Sequence, residues 1–281
     1  MRFAICNETF DGWDHARVCR FVAQLGYQGL ELAPYTLAPL ITSVSAQARQ
    51  TLRKQAEDQG LTLLGLHWLL ARTEGFHLTA PNENVRQATA EYLGELARCC
   101  HDLGGNILVF GSPAQRRIPT GFTLAQATDF AVDTLQRALP AIEDAGVKLC
   151  LEPLTPQETD FLTTCAEGDK LLDRLARPAC MLHLDVKAMA SESISTPELI
   201  RKHASRIGHF HANDPNKRGP GFGTTDFVPI FQALHDIRYS GWVSVEVFDY
   251  SPDPETIARE SLQYMQACAL QVTEPGKEPS R

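Results

Sequence analysis

The sequence lacks the features that would direct it to a membrane or to nucleic acid. Its longest apolar stretches, such as 61–70, are about ten residues long and are interrupted by Thr62 and His67, whereas a spanning helix needs roughly 20 apolar residues. It contains no run of Lys or Arg, and 26 Lys+Arg against 34 Asp+Glu give a formal charge of −8. Because binding to a phosphate backbone depends on clustered cations, we expect neither a membrane nor a nucleic acid as partner.

Export signals and disulfide motifs are also missing. The N-terminal stretch MRFAICNETF reaches Asn7 and Glu8 before an apolar signal run can form. The eight cysteines include no C-x-x-C pair, and several lie in apolar runs. In a chain of 281 residues this pattern predicts buried free thiols and a cytoplasmic protein.

What the sequence does contain is a regular alternation of short β-rich runs with longer stretches of helical period. The predicted strands are Arg2–Cys6, Gly29–Leu32, Thr62–His67, Asn106–Phe110, Lys148–Glu152, Met181–Asp185, Ile207–His211 and Val243–Val247. The predicted helices are Trp13–Leu25, Ser45–Gln59, Asn82–Leu103, Leu124–Ala145, Cys165–Leu175, Pro197–His203, Asp226–Ile237 and Pro254–Gln271. Most of these helices end in a glycine-bearing turn such as QLGYQG, where glycine stops the helix in a left-handed conformation.

Eight βα units in a chain of this length match a parallel (β/α)8 TIM barrel of the α/β class. An open doubly wound sheet would carry a G-x-G-x-x-G turn after its first strand, and here that strand is followed by NETFDGW. No linker interrupts the pattern. We therefore expect a single domain over residues 1–272, with 273–281 as a flexible C-terminal tail.

The last four strands each end in one side chain that can bind a metal. Glu152, Asp185, His211 and Glu246 end the runs KLCLEP, MLHLDVK, GHFHAND and VSVEVFD, about one βα unit apart. In such a barrel the carboxyl ends of the strands meet at one face, which carries the active site. These four residues form an O3N donor set that suits Mn²⁺, Mg²⁺, Co²⁺ or Zn²⁺.

Each of the four residues also has a structural alternative. Glu152 could end a strand before Pro153, Asp185 could cap the following loop, and His211 could be a core histidine with its hydrogen bonds satisfied. Three carboxylates gathered on adjacent strand ends, however, would repel one another strongly in a buried site unless a cation neutralised them. The set therefore predicts one divalent metal ion, with Mn²⁺ as the first choice.

Other polar residues near the strand ends are weaker candidates. His67, at the end of the third strand, is expected to contact a sugar hydroxyl, with a structural histidine as the alternative. His183 and His209 alternate with Asp185 and His211 and are expected one layer deeper, where they can orient the ligands. Further candidates for the pocket are Asn7, Glu31 and Asn213, whereas His101, His203 and His235 fall in helix patterns and are expected to face solvent.

The motifs LEPL, HLDVK, HFHANDPNKRGPG and SVEVF, in this order, resemble the xylose isomerase-like barrel superfamily, often labelled sugar phosphate isomerase/epimerase. The resemblance runs from Met1 to about Met265. In ketose 3-epimerases of this superfamily, the Glu, Asp, His and Glu at these strand ends hold one divalent metal and the two Glu also move protons. The resemblance therefore implies that Glu152 and Glu246 are catalytic as well as metal ligands.

Two substrate contacts also carry over from the epimerases. Glu158 stands six residues after the first metal ligand, and Arg218 lies in the R-G-P turn after the histidine ligand. The loop is one residue longer here, which makes Lys217 an alternative to Arg218. The family often has D-x-x-H after the sixth strand, but here Asp185 is followed by Val, Lys187 and Ala188, so we expect Lys187 to contact substrate or to form a salt bridge.

A divalent metal held by carboxylates can stabilise the enediolate that forms when a proton leaves the carbon next to a carbonyl. Removal by one glutamate and return from the other would epimerise that carbon, and return at the adjacent carbon would isomerise the sugar. The leading interpretation is therefore a metal-dependent sugar isomerase or epimerase that acts on a ketose-type substrate through a cis-enediolate. The alternative is a metal-dependent lyase or dehydratase that eliminates from a 3-oxo-glycoside or a related keto-sugar.

Two further classes remain less favoured. A phosphodiesterase resembling endonuclease IV would need a multi-metal cluster richer in His, and a sugar or metal sensor would bind without turnover. Arg116, Arg117, Lys217 and Arg218 could bind a phosphate or lie in solvated loops. Barrels of this family also suggest a homo-oligomer, either a dimer or a tetramer.

Overall fold

The computed structural model describes residues 1–272. Eight parallel strands pair in chain order, and the last pairs with the first, so that the sheet closes into a barrel. The prediction of a single-domain (β/α)8 TIM barrel is thereby confirmed. The strands are β1 (Arg2–Cys6), β2 (Gly29–Leu32), β3 (Thr62–Leu66), β4 (Ile107–Phe110), β5 (Lys148–Leu151), β6 (Cys180–Asp185), β7 (Ile207–Ala212) and β8 (Trp242–Val245).

Helices surround the barrel and follow the strands along the chain. They are α1 (His15–Leu25), α2 (Ala46–Glu57), α3 (Glu83–Asp102), α4 (Leu124–Asp144), α5 (Cys165–Leu175), α6 (Val186–Met189), α7 (Thr196–Lys202), α8 (Val228–Asp236) and α9 (Pro254–Ala269). Side-chain caps begin several of them: Asp14, Ser45 and Thr123 each accept a hydrogen bond from a backbone N–H of the first turn. Gly26 ends α1 at a φ of 102°, a conformation that favours glycine.

The observed elements differ from the predicted ones mainly at their ends. One helix, α6, had no predicted counterpart; it is a single turn that starts directly after β6. Its first turn is capped by Asp185, whose carboxylate accepts a hydrogen bond from the Ala188 N–H. The predicted C-terminal tail at 273–281 lies outside the described residues.

The interior of the barrel changes from apolar to polar along its axis. Near the amino ends of the strands it holds the apolar cluster Ala4, Leu64, Ile107, Val109, Cys150 and Trp242. Ser244 lies two residues after Trp242 in β8, and Glu246 lies two residues after Ser244, just beyond the strand. Because side chains alternate in direction along a strand, these three share the inward face, and the polar residues gather at the carboxyl ends.

Burial tests the predictions made for the cysteines and for His203. All eight cysteines are free and buried, as expected. The prediction that His203 faces solvent is wrong. His203 is only 2% exposed, and its Nδ1 lies 2.9 Å from an oxygen of Asp169. None of the helices in residues 1–272 combines the length and the apolar character needed to cross a membrane.

Candidate metal centre and active site

The four predicted metal ligands lie together at the carboxyl-end mouth of the barrel. Glu152 directly follows β5, Asp185 ends β6, His211 lies in β7, and Glu246 directly follows β8. Asp185 and His211 face each other in the register of β6 and β7. All four residues are at most 2% exposed, so their donor atoms lie inside the protein.

The distances connect the four ligands into one cluster. Glu152, Asp185 and His211, together with His183, offer donor atoms that all lie within 4.8 Å of one another. Glu246 joins the cluster through His211, since its Oε2 lies 3.1 Å from His211 Nδ1. Two donors that are each about 2.1 Å from an octahedral ion lie roughly 3 Å apart, which matches this pair.

The donor set fits a divalent metal ion. His211 Nδ1 and both carboxylate oxygens of Glu246 are buried and make no hydrogen bond of acceptable geometry within residues 1–272. Buried polar atoms normally have a partner, and a cation would provide one for all three. Glu152, Asp185, His211 and Glu246 are thus the residues that would hold such an ion.

A second layer of polar residues contacts the predicted ligands. Glu31 Oε2 lies 3.1 Å from His211 Nε2 and 2.9 Å from His209 Nε2, directly beneath the cluster. Asn213 donates to Asp185 Oδ2 at 2.5 Å and accepts from the backbone N–H of Lys187 at 2.8 Å. Such contacts can fix the orientation of metal ligands, the role predicted for His209. Glu31 and Asn213 were predicted only as pocket residues, and the structure places them behind the cluster instead.

The electrostatics of the cluster separate the two glutamates. Burial, together with the charges of Glu246 and Asp185, raises the pKa of Glu152 well above its ordinary value. Burial alone would also raise the pKa of Glu246, but the positive charge of His211 lowers it below the usual range.

Lys187 and Glu158 form an ion pair beside this centre. Lys187 Nζ lies 2.6 Å from Glu158 Oε1 and 4.0 Å from the centroid of the Phe248 ring. Lys187 is only 6% exposed. Burial would lower the pKa of Lys187, but Asp185 and Glu158 raise it, so the lysine remains a cation. The salt bridge considered for Lys187 is present.

The other two predicted substrate contacts have different surroundings. His67 is fully buried, and its Nε2 lies 2.9 Å from Glu8 Oε2. Arg218 is half-buried, and its guanidinium donates to the carbonyl of Ser251 at 2.7 Å. The structure therefore places His67 within the central cluster and ties Arg218 to the loop after β8.

A cleft opens next to Glu152, which lines it. It has a volume of about 280 Å3 and is lined by Trp68, Arg72, Gly111, Leu154, Glu158 and Phe248, among others. Trp68 stacks on Phe248 with the ring centroids 5.7 Å apart. This pair supplies an apolar wall beside the carboxylates, and we name the space the catalytic cleft.

Two buried charged residues of the centre were not anticipated. Glu8 is 4% exposed and lies with His67 and Glu246 in a group whose donor atoms are all within 4.8 Å. Its position two residues after β1 is the signal that could have revealed it. The alternative that Arg116 lies in a solvated loop is wrong. Arg116 is fully buried, and its guanidinium donates to the Glu152 carbonyl at 2.6 Å.

A closed (β/α)8 barrel with a buried carboxylate and imidazole cluster at the carboxyl ends of its strands defines a TIM-barrel enzyme. A family model described as "Xylose isomerase-like TIM barrel" matches residues 19–268, and the chain belongs to this family. The resemblance noted in the sequence is thereby confirmed.

Named relatives agree with this assignment. The chain is 28% identical over 249 residues to the D-psicose 3-epimerase of Agrobacterium fabrum, which covers 84% of this chain and 82% of the relative. It is 28% identical over 188 residues to the L-ribulose 3-epimerase of Mesorhizobium japonicum, covering 66% of this chain and 62% of that protein. These relatives are isomerase-class enzymes, and the prediction of an enzyme of this class is confirmed.

A solved structure supports the fold. A crystal structure of D-psicose 3-epimerase in the presence of D-fructose superposes with a TM-score of 0.83 at 23% identity. The match covers 96% of this chain and 99% of the other.

Proposed function

We propose that the protein is a divalent-metal-dependent sugar epimerase that inverts a carbon next to a carbonyl group by removing and returning its proton. The observation that carries the proposal is the placement of Glu152 and Glu246. They follow β5 and β8 and flank Asp185 and His211, which come from the two strands between them. Two carboxyl groups on opposite sides of one site can reach the two faces of a single carbon.

The roles of the two glutamates follow from their contacts. Glu246 Oε2 faces His211, whereas Oε1 is buried without a hydrogen bond and is free to accept a proton. Glu152 follows β5, on the other side of Asp185 and His211, and can return a proton from there, giving the epimer through a cis-enediolate of the substrate. The metal ion, when bound, would supply a positive charge that polarises the substrate carbonyl.

The remaining predicted residues would bind substrate. Lys187 and Glu158 are paired at the edge of the catalytic cleft, where a charged donor and acceptor can hydrogen-bond neighbouring hydroxyl groups. His67 would contact the same sugar from the side of β3, and Arg218 would approach from the loop after β7. Trp68 and Phe248 would pack against the apolar face of the ring.

The relatives favour epimerisation over the alternative of elimination. The relatives from Agrobacterium fabrum and Mesorhizobium japonicum are both named as 3-epimerases. Mn²⁺ remains the preferred metal in the proposal, with Mg²⁺, Co²⁺ and Zn²⁺ as alternatives, because an O3N set suits all four. A dimer or tetramer and a cytoplasmic location also remain part of the proposal, and the eight buried free thiols favour a reducing compartment.

The test is proton NMR in D2O after metal removal and reconstitution with Mn²⁺ or Mg²⁺. The enzyme is incubated with free ketoses, ketose phosphates and 3-oxo-glucosides, with EDTA as control. Metal-dependent deuterium incorporation beside a carbonyl, with a new epimer, is the expected result. Loss of water or of an aglycone would replace the proposal with the lyase interpretation, and binding without any exchange would contradict both.

A further inference from the structure

His183 is buried inside the barrel next to the central cluster but has no polar partner of its own. Its exposed fraction is 0%, and neither ring nitrogen makes a hydrogen bond or an ion pair within residues 1–272. Its ring contacts that of His211, with the centroids 4.2 Å apart and the planes at 74°. An aromatic face can accept an N–H but cannot donate to a nitrogen lone pair. The lone pair of His183 is therefore left without a partner, although buried polar atoms normally have one.

The position of His183 in β6 fixes its surroundings. Met181 packs against the apolar cluster at the amino ends of the strands, whereas Asp185 belongs to the metal cluster. His183 lies between these two residues and shares their inward face, because side chains alternate in direction along a strand. Leu182 and Leu184, on the opposite face, belong to the large apolar core. His183 thus lies between an apolar layer and the donor atoms of the centre.

The spacing of these donor atoms fits a shared ion. One nitrogen of His183 lies within 4.8 Å of donor atoms of Glu152, Asp185 and His211. It is nevertheless too far from either carboxylate to form a hydrogen bond or an ion pair. Donors on opposite sides of an ion with bonds of about 2.1 Å lie roughly 4.2 Å apart, and neighbouring donors lie roughly 3 Å apart. The distances therefore match donors that surround a cation and do not bind one another directly.

The neighbouring histidine has different contacts. His209 pairs with His183 in the register of β6 and β7, and both residues are fully buried. His209 Nε2, however, lies 2.9 Å from Glu31 Oε2 and so has a polar partner. The group that contains Glu152 and Asp185 includes His183 and not His209. Of the two deeper histidines, His183 is therefore the one placed to bind an ion in the central cluster.

A second imidazole changes the chemistry of the donor set. His183 would add a nitrogen to the three carboxylates and the nitrogen of His211, without adding negative charge. Imidazole nitrogen favours Co²⁺ and Zn²⁺, whereas Mg²⁺ prefers oxygen ligands and retains several of its waters. A centre with two imidazoles would therefore discriminate among divalent ions more strongly than the O3N set alone.

We propose that His183 is a fifth ligand of the divalent ion, so that the centre offers two imidazole nitrogens and binds Co²⁺ or Zn²⁺ in preference to Mg²⁺. This proposal rests on the metal-binding part of the proposed function and is independent of the reaction that the ion supports.

Proton NMR of the Co²⁺-loaded protein counts the bound histidines. A histidine bound to Co²⁺ through one nitrogen shows a strongly shifted N–H proton from its other nitrogen, and this signal disappears in D2O. We expect two such signals in the wild type and one in His183→Leu. His203→Leu is the matched control, because it removes a buried histidine that contacts Asp169 outside the barrel interior, and it should retain both signals.

Calorimetric titration with Co²⁺ and with Mg²⁺ tests the selectivity. His183→Leu should lower the Co²⁺ affinity by about tenfold or more, since loss of even an indirect partner of a metal ligand typically costs 10- to 100-fold. The Mg²⁺ affinity should fall by less, so that the preference for Co²⁺ over Mg²⁺ shrinks. Equal losses for the two ions would overturn the proposed selectivity.

The wild-type spectrum decides the proposal even if His183→Leu does not fold. A single shifted N–H signal in the wild type, or two signals that persist in His183→Leu, would overturn the assignment of His183 as a ligand. Two signals in a protein that exchanges no substrate proton would support His183 as a ligand and contradict the proposed function. Failure of the wild type to take up Co²⁺ would contradict both.

Discussion

Glu246 is the residue on which the proposed proton transfer depends most directly. The change Glu246→Gln keeps the size of the side chain but replaces the carboxylate that accepts the proton with a neutral amide. We therefore expect kcat to fall by about 10²- to 10⁴-fold while the fold stays intact. The measurement is deuterium exchange by NMR, with circular dichroism as the check on folding. Full activity of this variant would remove the acid–base assignment, and Glu198→Gln, at an exposed helix cap, should behave as wild type.

The absence of a side chain at Gly111 leaves the space that the Glu152 carboxylate occupies. A Cβ at position 111 would lie 1.7 Å from Glu152 Oε2, so Gly111→Ala must displace that carboxylate. We expect a loss of metal affinity and of turnover with little loss of stability, because the clash meets a side chain that can rotate. Calorimetric titration with Mn²⁺ checks this, and Gly60→Ala, in open space on a distant turn, provides the comparison. Unchanged Mn²⁺ affinity in Gly111→Ala would speak against Glu152 as a ligand.

Single residues show where sequence reasoning reaches its limit. Glu152, Asp185, His211 and Glu246 were predictable because each ends a strand and strand ends meet at one face. Arg116 was not, because an arginine in a loop gives no local sign that the loop folds back over Glu152.

At the scale of elements, β3 and β4 leave no room for a side chain at Gly65. It pairs with Ile107 of β4, and a Cβ at position 65 would lie 1.9 Å from the Ile107 carbonyl oxygen. The Ile107 carbonyl belongs to the backbone of β4 and cannot rotate away from the new methyl group as a side chain could. We therefore expect Gly65→Ala to lower the free energy of unfolding by roughly 3 kcal/mol. Urea unfolding measures this.

The same substitution at Gly121 separates the effect of the steric clash at Gly65 from the general effect of replacing glycine with alanine. Gly121 has a φ of 85° and nothing near the position of a Cβ, so Gly121→Ala should cost only about 1 to 2 kcal/mol from backbone strain. Equal stabilities of the two variants would show that the contact between β3 and β4 is not as tight as described.

The packing of α3 against α4 is reinforced by Asp133, which accepts hydrogen bonds from Arg86 at 2.6 Å and Arg137 at 3.0 Å. Partial burial would raise the pKa of Asp133, but these two arginines lower it below its ordinary value. The stabilisation is therefore fully present above the unfolded-state pKa near 4 and is lost as the pH falls through the lower folded-state pKa.

Asp133→Asn should accordingly destabilise the protein by about 0.5 to 1 kcal/mol at pH 7, a value reduced by the partial exposure of the pair. At pH 3 the difference from wild type should be smaller. Urea unfolding at the two pH values is the measurement, with Asp129→Asn, in a more exposed pair with Arg174, as the control. A difference that grows on acidification would contradict the sign of the shift.

At the scale of the whole molecule, metal binding should stabilise the folded barrel. The four proposed ligands lie at the ends of four strands and come together only in the native state, so a divalent ion would bind folded protein preferentially. At a free Mn²⁺ concentration 100 times Kd the gain is about 2.7 kcal/mol. For a protein of this size we expect EDTA to lower Tm by about 5 °C relative to the Mn²⁺ form.

Differential scanning calorimetry with and without EDTA measures this shift. Asp185→Asn should remove most of it, because one of the three carboxylates is lost, whereas Asp236→Asn, at an exposed ion pair, should keep it. The same Tm in EDTA and in Mn²⁺ would argue against an ion in this cluster.

The amino-acid sequence by itself determined the architecture and the four central residues. Its alternation of strand and helix is a local property of the chain, and the order of strand ends follows from that alternation alone. Only the tertiary structure decided which partner each buried charge has: Glu31 with His211, Lys187 with Glu158, and Glu8 with His67. These pairs join residues from different βα units, so their geometry depends on barrel closure and on loop packing, neither of which leaves a periodic signal in the sequence.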